Sequence, residues 1–275
     1  MSLAMRRFSL ILALALLAPP AVLAADGSLE RCGAPSAPAA EAVHHCRRAL
    51  SLGGLTTEQE FLASLNLGDA LLAMGQASAA LDAFEAAAAT GLSRVELPLG
   101  RAQAREALGD RLGAAKDLDA ALALAPRSVD VRLVRGAFWL RLGRADAAFE
   151  EFDAAVRLDG GDVDARYNRG LTLLALGRAG DAEADFSRVL RDAPNDSGAR
   201  LQRGRTREGR DDAAALADYQ AAAELAPEWP EPWFRAGKLL DRLGRKGDAD
   251  RNFRRAFELG MKDPWLLERM RALGG

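Results

Sequence analysis

Histidine is almost absent from this chain of 275 residues, which contains only 2, His44 and His45. Serine and cysteine nucleophiles commonly rely on a histidine base, and two adjacent histidines on a helix point to different faces. The sequence also lacks a Walker phosphate loop and the glycine motif of dinucleotide-binding proteins. It therefore predicts no catalytic residue, no metal site and no cofactor, and we do not expect an enzyme.

Basic residues do not outnumber acidic ones, with 37 lysines and arginines against 39 aspartates and glutamates. Of the 37 basic residues, 33 are arginines. The formal net charge is −2 at pH 7, so the chain lacks the positive surface that nucleic acids attract. Alternating runs of β-branched residues are missing as well, which argues against strands. These absences predict an all-helical protein that does not bind nucleic acid.

Long hydrophobic runs are confined to the N-terminus. The apolar stretch 8–18 follows a basic pair, 6–7, and precedes a small-residue cleavage pattern at 22–24. It is too short to span a bilayer, so residues 1–24 are predicted to be a cleaved secretory signal, with an uncleaved membrane anchor as the alternative. Together with the preference for arginine over lysine, this signal favours an exported bacterial protein of the periplasm, with no membrane insertion after cleavage.

Cysteine occurs only at positions 32 and 46. In an oxidising compartment an isolated pair is usually joined, so we expect a disulfide between Cys32 and Cys46. Free thiols, or a metal site shared with the histidines beside Cys46, are the alternatives. The segment 25–39 is rich in glycine, proline and serine and is predicted to be a flexible arm.

The dominant positive feature is a repeat of 34 residues. Each copy has a small residue, then a Leu-Gly pair or a near match, an alanine, an aromatic residue or leucine, and another small residue. In the fourth copy these are Gly170, Leu176-Gly177, Ala182 and Phe186, followed by Pro194. The glycine after leucine and the later proline each end a helix, so every copy is predicted to be a pair of helices. The small residues at the first position are Gly68, Ala102, Gly136, Gly170, Gly204 and Gly237.

This pattern resembles the tetratricopeptide repeat. The resemblance implies an all-α solenoid of six helix hairpins wound as a right-handed superhelix. A half-repeat capping helix and loop are expected at 40–60, and a capping helix with Asp263 as its N-cap at 264–275. The six repeats are predicted to span residues 61–94, 95–128, 129–162, 163–196, 197–229 and 230–263.

An arginine and an acidic residue are either both present or both absent at two positions of each repeat. Repeats two to five carry an arginine just before the small residue and an acid 15 or 16 positions later, whereas repeats one and six lack both. We interpret each couple as a partly exposed ion pair between the two helices of a repeat, contributing about 0–1 kcal/mol. A ladder of arginines for an anionic ligand is the alternative. The four couples are Arg101 with Asp117, Arg135 with Glu151, Arg169 with Asp185, and Arg203 with Asp218.

The resemblance also implies that the first helices line a concave groove. Its central positions are apolar and its flanks are polar, as in many binding patches. Tyr167 is the expected anchor because aromatic residues with a polar tip are common hot spots. Alternatively, the residues at position five of each repeat pack between neighbouring repeats. The predicted central residues are Leu133, Leu140, Tyr167, Leu171 and Leu174, and the flanking ones are Asp69, Glu106, Arg205, Lys238 and Asp241.

The function implied by this resemblance is a periplasmic scaffold or adaptor that binds a protein or peptide partner through its groove. Two other functions stay open: a structural array that associates with itself, and an accessory subunit of an envelope enzyme complex. The sequence leaves the partner and the oligomeric state open.

Overall fold

A computed structural model describes residues 27–34 and 36–273, and these residues form fifteen α-helices and no strand. The predicted signal segment, 1–24, lies outside the described residues. None of the described helices is both long and apolar enough to cross a membrane. The helices are α1 (Ser28–Cys32), α2 (Ala39–Leu52), α3 (Thr57–Ala73), α4 (Ala77–Ala89), α5 (Glu96–Ala107), α6 (Arg111–Leu124), α7 (Val129–Arg141), α8 (Ala145–Leu158), α9 (Val163–Ala175), α10 (Ala179–Asp192), α11 (Ser197–Arg207), α12 (Asp212–Leu225), α13 (Pro230–Arg242), α14 (Lys246–Glu258) and α15 (Pro264–Ala272).

Helices α3 to α14 form six hairpins, one for each predicted repeat. The first helices of repeats three to six begin at the first residue of the predicted span. The first helix of repeat one begins earlier than expected, at Thr57, because Thr56 and Gln59 form a reciprocal capping box. At the other end, Asp263 accepts a hydrogen bond from the amide of Leu266, as expected for the N-cap of α15.

The chain divides into two compact bodies, an N-terminal body up to Arg127 and a C-terminal body from Ser128. The N-terminal body contains α1 to α6, and the C-terminal body contains α7 to α15. Within the C-terminal body each second helix packs against the first helix of the next repeat, and first helices also touch each other, α7 with α9 and α9 with α11. The first helices α7, α9 and α11 therefore form one continuous face of this body, which we call the inner face.

An aromatic ring packs directly against a glycine of the facing helix in five of the six repeats. A methyl group added to Gly136 would lie 2.7 Å from the ring of Phe152, so this position admits only hydrogen. Repeat two has alanine at the equivalent position, and its partner is the smaller Leu118 instead of a ring. The glycine–ring couples are Gly68 with Phe84, Gly136 with Phe152, Gly170 with Phe186, Gly204 with Tyr219 and Gly237 with Phe253.

An arginine–acid pair lies beside the glycine–ring contact in repeats three to five, and beside the contact of Ala102 with Leu118 in repeat two. In repeat four, Arg169 donates from Nε and Nη2 to the two carboxylate oxygens of Asp185, at 2.8 and 2.7 Å. The hydrogen bond to Asp185 is the main reason that the pKa of Arg169 is raised. The other closest nitrogen–oxygen distances are 2.6 Å for Arg101 to Asp117, 2.7 Å for Arg135 to Glu151 and 2.6 Å for Arg203 to Asp218.

The acids of these pairs are buried, whereas their arginines stay partly exposed, as expected for pairs that are partly exposed at best. A second arginine approaches each acid; in repeat five, for example, Arg207 donates to Asp218 at 2.9 Å. Breaking such a pair leaves a buried carboxylate uncompensated and costs several kcal/mol, which is more than the net contribution of the intact pair. The residue exposures are 2 % for Asp117, 8 % for Glu151, 4 % for Asp185 and 3 % for Asp218.

Arginines that bind three of these four acids also contact the preceding repeat. Arg169 donates to Asp153, on the second helix of repeat three, at 2.7 Å. Arg207 reaches Glu183 in the same way at 2.8 Å, and Arg105 reaches Glu85 at 3.1 Å in the N-terminal body. The arginines therefore join the two helices of one repeat to the preceding repeat.

The N-terminal residues that we expected to form a flexible arm contain a short helix. Helix α1 packs against α2 and α3, and Cys32 is joined to Cys46 of α2 by a disulfide. Both cysteines are buried, and no free cysteine occurs among the described residues, so the alternatives of free thiols and a metal site do not hold there. Closing a loop of this size contributes about 3 kcal/mol and holds α1 in place.

The close glycine–ring approach predicts a specific pattern of stability changes. Gly136→Ala should lower the free energy of unfolding by about 1–3 kcal/mol because the methyl group overlaps the ring of Phe152. Adding Phe152→Leu should recover part of this loss, since repeat two combines Ala102 with Leu118. Gly180→Ala, where nothing lies within 4 Å, is the control and should leave stability unchanged or slightly raised. Urea unfolding of the parent protein, these three variants and Phe152→Leu alone measures this, and purely additive losses would contradict it.

The burial of Asp185 predicts that its arginine matters for stability. Arg169→Met keeps an unbranched apolar stem but removes the charged guanidinium, and it should lower the free energy of unfolding by about 2–3 kcal/mol. The control is Arg188→Met, which breaks an exposed pair with Asp192 and should cost less than about 0.5 kcal/mol. Equal losses in the two variants, measured by urea unfolding, would show that burial of the acid has no effect.

Candidate functional site

The structure distributes the five predicted groove residues between the core and the inner face. Leu133 is only 9 % exposed and packs with Phe152 and with Ala165 of the next repeat. Leu140, Leu171 and Leu174 are half-buried. The three half-buried leucines lie on α7 and α9, and they leave a partly exposed apolar strip on the inner face, which we call the leucine strip.

Tyr167 lies between repeats four and five. Its ring packs edge-to-face on Phe186, with the ring centres 5.6 Å apart, and it contacts the cluster of Val189, Leu190 and Ala199. Burial, followed by the charge of Asp196, raises the pKa of its hydroxyl. These contacts correspond to the alternative in which position five packs between repeats. Leu133 therefore belongs to the core, whereas Tyr167 packs between repeats and is only partly buried, like the three leucines of the strip.

The arginines of the four ion pairs do not form a free ladder. Each is held by the buried acid of its own repeat, and Arg169 also by Asp153. The interpretation as structural ion pairs therefore agrees with the geometry better than an arginine ladder for an anionic ligand. Among residues 27–34 and 36–273, no group of three or more His, Cys, Asp or Glu side chains is arranged to hold a metal ion.

A pocket of about 320 Å³ opens next to the end of α11. Three of its five lining residues are cationic, one is a carboxylate and one is a buried leucine. We call it the Lys238 pocket, and it is lined by Glu208, Arg235, Lys238, Leu239 and Arg242.

The irregular fifth repeat accounts for the position of this pocket. Helix α11 has 11 residues whereas α9 and α13 have 13, and Glu208 leaves the helix with an extended backbone, ψ 131°. One carboxylate oxygen of Glu208 accepts a hydrogen bond from the buried hydroxyl of Tyr219, the only tyrosine among the rings that face a repeat glycine. Burial and this bond raise the pKa of Tyr219.

The sequence pointed to only part of this pocket. Lys238 was expected at the flank of the groove, but Glu208, Arg235 and Arg242 were not singled out. Two features of the sequence point to these three residues: repeat five is one residue shorter than the others, and position 219 has tyrosine in place of phenylalanine. Neither observation alone reveals which side chains meet there.

The family model of the tetratricopeptide repeat matches residues 99–163, 154–197 and 167–230. No curated protein matches the chain by sequence. The C-terminal part of a TPR repeat-containing protein from Cytophaga hutchinsonii is similar in structure, with a TM-score of 0.67, 16 % identity, and coverage of 84 % of this chain and 93 % of that one. For pilF of Pseudomonas aeruginosa the TM-score is 0.66 at 18 % identity, over 78 % of this chain and 98 % of that one.

A further similar structure is YrrB, described as a TPR protein with an unusual peptide-binding site. Its TM-score is 0.53 at 19 % identity, over 68 % of this chain and 95 % of that one. At these identities the structural likeness establishes the fold alone. The matched residues agree with the helix hairpins seen in the structure, and the chain belongs to the tetratricopeptide repeat family.

Proposed function

We propose that this protein is an exported, periplasmic scaffold that binds a protein or peptide segment along the inner face of its C-terminal body. Tetratricopeptide repeats and the structural neighbours support a protein-interaction scaffold, and the fold is typically non-catalytic. YrrB has a peptide-binding site by its own description. The single observation that carries the proposal is the leucine strip, a partly exposed apolar surface on adjacent first helices.

The leucine strip suits an extended partner. Leu140 on α7 and Leu171 and Leu174 on α9 are half-buried. Each packs against core residues on one side and exposes apolar surface to a partner on the other. The equivalent positions on the first helices that follow the strip are polar, Arg205 on α11 and Lys238 on α13. An apolar centre with a polar rim is the arrangement found in many interfaces.

Export is supported by two independent features. Residues 1–24 have the basic, apolar and small-residue regions of a secretory signal. The buried disulfide between Cys32 and Cys46 suits an oxidising compartment. We therefore place the protein in the periplasm as part of this proposal.

A photo-crosslinker tests the inner face directly. The crosslinking amino acid p-benzoylphenylalanine at position 171 should capture one partner in living cells, whereas the same group at position 188, exposed on the second helix of the same repeat, should capture none or unrelated proteins. Adding Leu174→Glu to the protein that carries the crosslinker at 171 should reduce the adduct about tenfold, because a charge would then face the partner's apolar side chain. Circular dichroism shows whether this variant keeps its helices.

The identity of the adduct separates the competing functions. An adduct of the protein with itself would support the self-associating array, and an enzyme would support the accessory-subunit function. Equal yields from positions 171 and 188, or no adduct at 171, would contradict binding at the inner face.

The export proposal predicts a defined mature protein. Material from the periplasmic fraction should have the mass of a chain that begins at Ala25, and its Cys32 and Cys46 peptides should be joined. Ala24→Tyr places a bulky residue at the cleavage point and should leave the full-length precursor. A full-length chain in the membrane fraction would instead indicate an uncleaved anchor, and a full-length chain in the cytoplasm would contradict export.

A further inference from the structure

We propose that α1 is a thiol-controlled cap, which docks on the N-terminal body only after Cys32 and Cys46 have been joined. This end of the repeat array then closes where an oxidant is present and stays open in a chain made under reducing conditions. The inference does not depend on partner binding at the inner face. Three features carry it: the arrangement of α1 and α2, the place of the disulfide between them, and the burial of both sulfurs.

Helices α1 and α2 are arranged as the two helices of a repeat. Helix α1 packs on α2 and also touches α3, and α2 packs on α3. The same three contacts join α7, α8 and α9. The two helices therefore form a hairpin in front of repeat one, and its first helix is short. It has 5 residues, whereas the first helices of the six repeats have 11 to 17.

The disulfide takes the place of the ring contact in this hairpin. Cys46 has an alanine four residues before it and another three residues after it, as Phe84 of repeat one does. Both side chains are fully buried. Cys32 lies opposite Cys46, as Gly68 lies opposite Phe84. A covalent bond thus joins the two helices where the regular repeats rely on packing.

Helix α1 has few other means of staying docked. Five residues are too few for a helix that is stable by itself. Its N-cap is Gly27, which has no side chain to accept a hydrogen bond from the first turn. Apart from Cys32, its only large apolar residue is Leu29, which is partly buried against the core of the N-terminal body. Closing the loop between the cysteines favours the docked state about a hundredfold, so we expect α1 to be undocked without the bond.

The burial of the sulfurs determines when the bond forms. Cys32 is 3 % exposed and Cys46 is 0 % exposed in the docked state, so an oxidant reaches them only while α1 is undocked. The Cys32 thiolate attacks a disulfide of the oxidant and releases one of its sulfurs as a thiol. The Cys46 thiolate then attacks Cys32 in the mixed disulfide and releases the other sulfur. The chain loses two protons and two electrons, and the oxidant, a protein or small-molecule disulfide, leaves as two thiols.

The same burial makes the cap act in one direction. Once α1 has docked, its disulfide is shielded from thiols, so a return to reducing conditions opens it slowly. Oxidising compartments supply the required oxidant, whereas the cytosol keeps thiols reduced. The cap therefore closes once, when the chain first meets an oxidant.

Limited digestion with trypsin tests the cap, because Arg31 lies in α1 and is exposed. Cleavage after Arg31 should be at least about tenfold slower in the oxidised protein than in the variant Cys32→Ala/Cys46→Ala, since cleavage requires local opening. The matched controls are Arg47 on α2 and Arg271 on α15, both exposed. Cleavage after each of them should have the same rate in the two proteins.

Two results of this digestion would overturn the proposal. Equal rates after Arg31 in the two proteins would show that α1 docks without the bond. Cleavage after Arg47 that accelerates as much as cleavage after Arg31 would show that the whole hairpin opens, so that α1 is not a separate cap.

A second measurement uses the native cysteines and needs no variant. The protein is reduced in urea, refolded without oxidant and treated with iodoacetamide, while circular dichroism confirms that the repeats have folded. Cys32 should react within about tenfold of its rate in urea, because the undocked thiol is accessible. Oxidised glutathione, added instead of iodoacetamide, should join the cysteines and restore slow cleavage after Arg31. A slower reaction of Cys32 in the refolded chain would show that α1 docks before oxidation, and the proposal would be wrong.

Discussion

The contact between a ring and a glycine on facing helices governs the architecture of each hairpin. Where Phe152 covers Gly136 or Phe186 covers Gly170, the two helices approach more closely than any larger residue would permit. In repeats three to five the arginine of the ion pair stands immediately before this glycine, and the acid stands immediately before the ring. The close approach therefore brings the charged groups within hydrogen-bond distance and removes the acid from water. The glycine–ring contact thus positions the arginine–acid pair, and the two occur together in repeats three to five.

Burial of these acids gives the ion pairs a role that exposed pairs do not have. A buried pair adds little net stability over an apolar pair of the same shape, but breaking it is costly because one charge stays uncompensated. Alternative registers of the two helices would separate Arg169 from Asp185, so the pair penalises them. Its additional contact with Asp153 extends this constraint to the preceding repeat. Stability in such arrays is a sum of repeat and interface contributions, and these arginines contribute to both.

The departure of repeat five from the regular repeat coincides with the Lys238 pocket. Repeat five has a shortened first helix, a tyrosine in place of phenylalanine and a glutamate that leaves the helix early. The Lys238 pocket lies next to that irregularity, whereas the regular repeats three and four present the leucine strip. Regular repeats thus supply a continuous surface, and the irregular one supplies a site with distinct chemistry.

The sequence by itself determined the repeat period, the helix pairs, the partner of each arginine and the cysteine pair. These follow from spacing, because a helix hairpin of constant length always brings the same positions together. Only the tertiary structure decided how deeply each group is buried. Tyr167 and Leu133 belong to the packing between repeats, the acids lie out of water, and α1 is held by Cys32, although its composition is that of a loose arm. Exposure depends on what the neighbouring repeat places over a residue, and the Lys238 pocket depends on side chains from α11 and α13 converging where one helix ends early. Such convergence is a property of three-dimensional packing, which the spacing of residues along the chain does not encode.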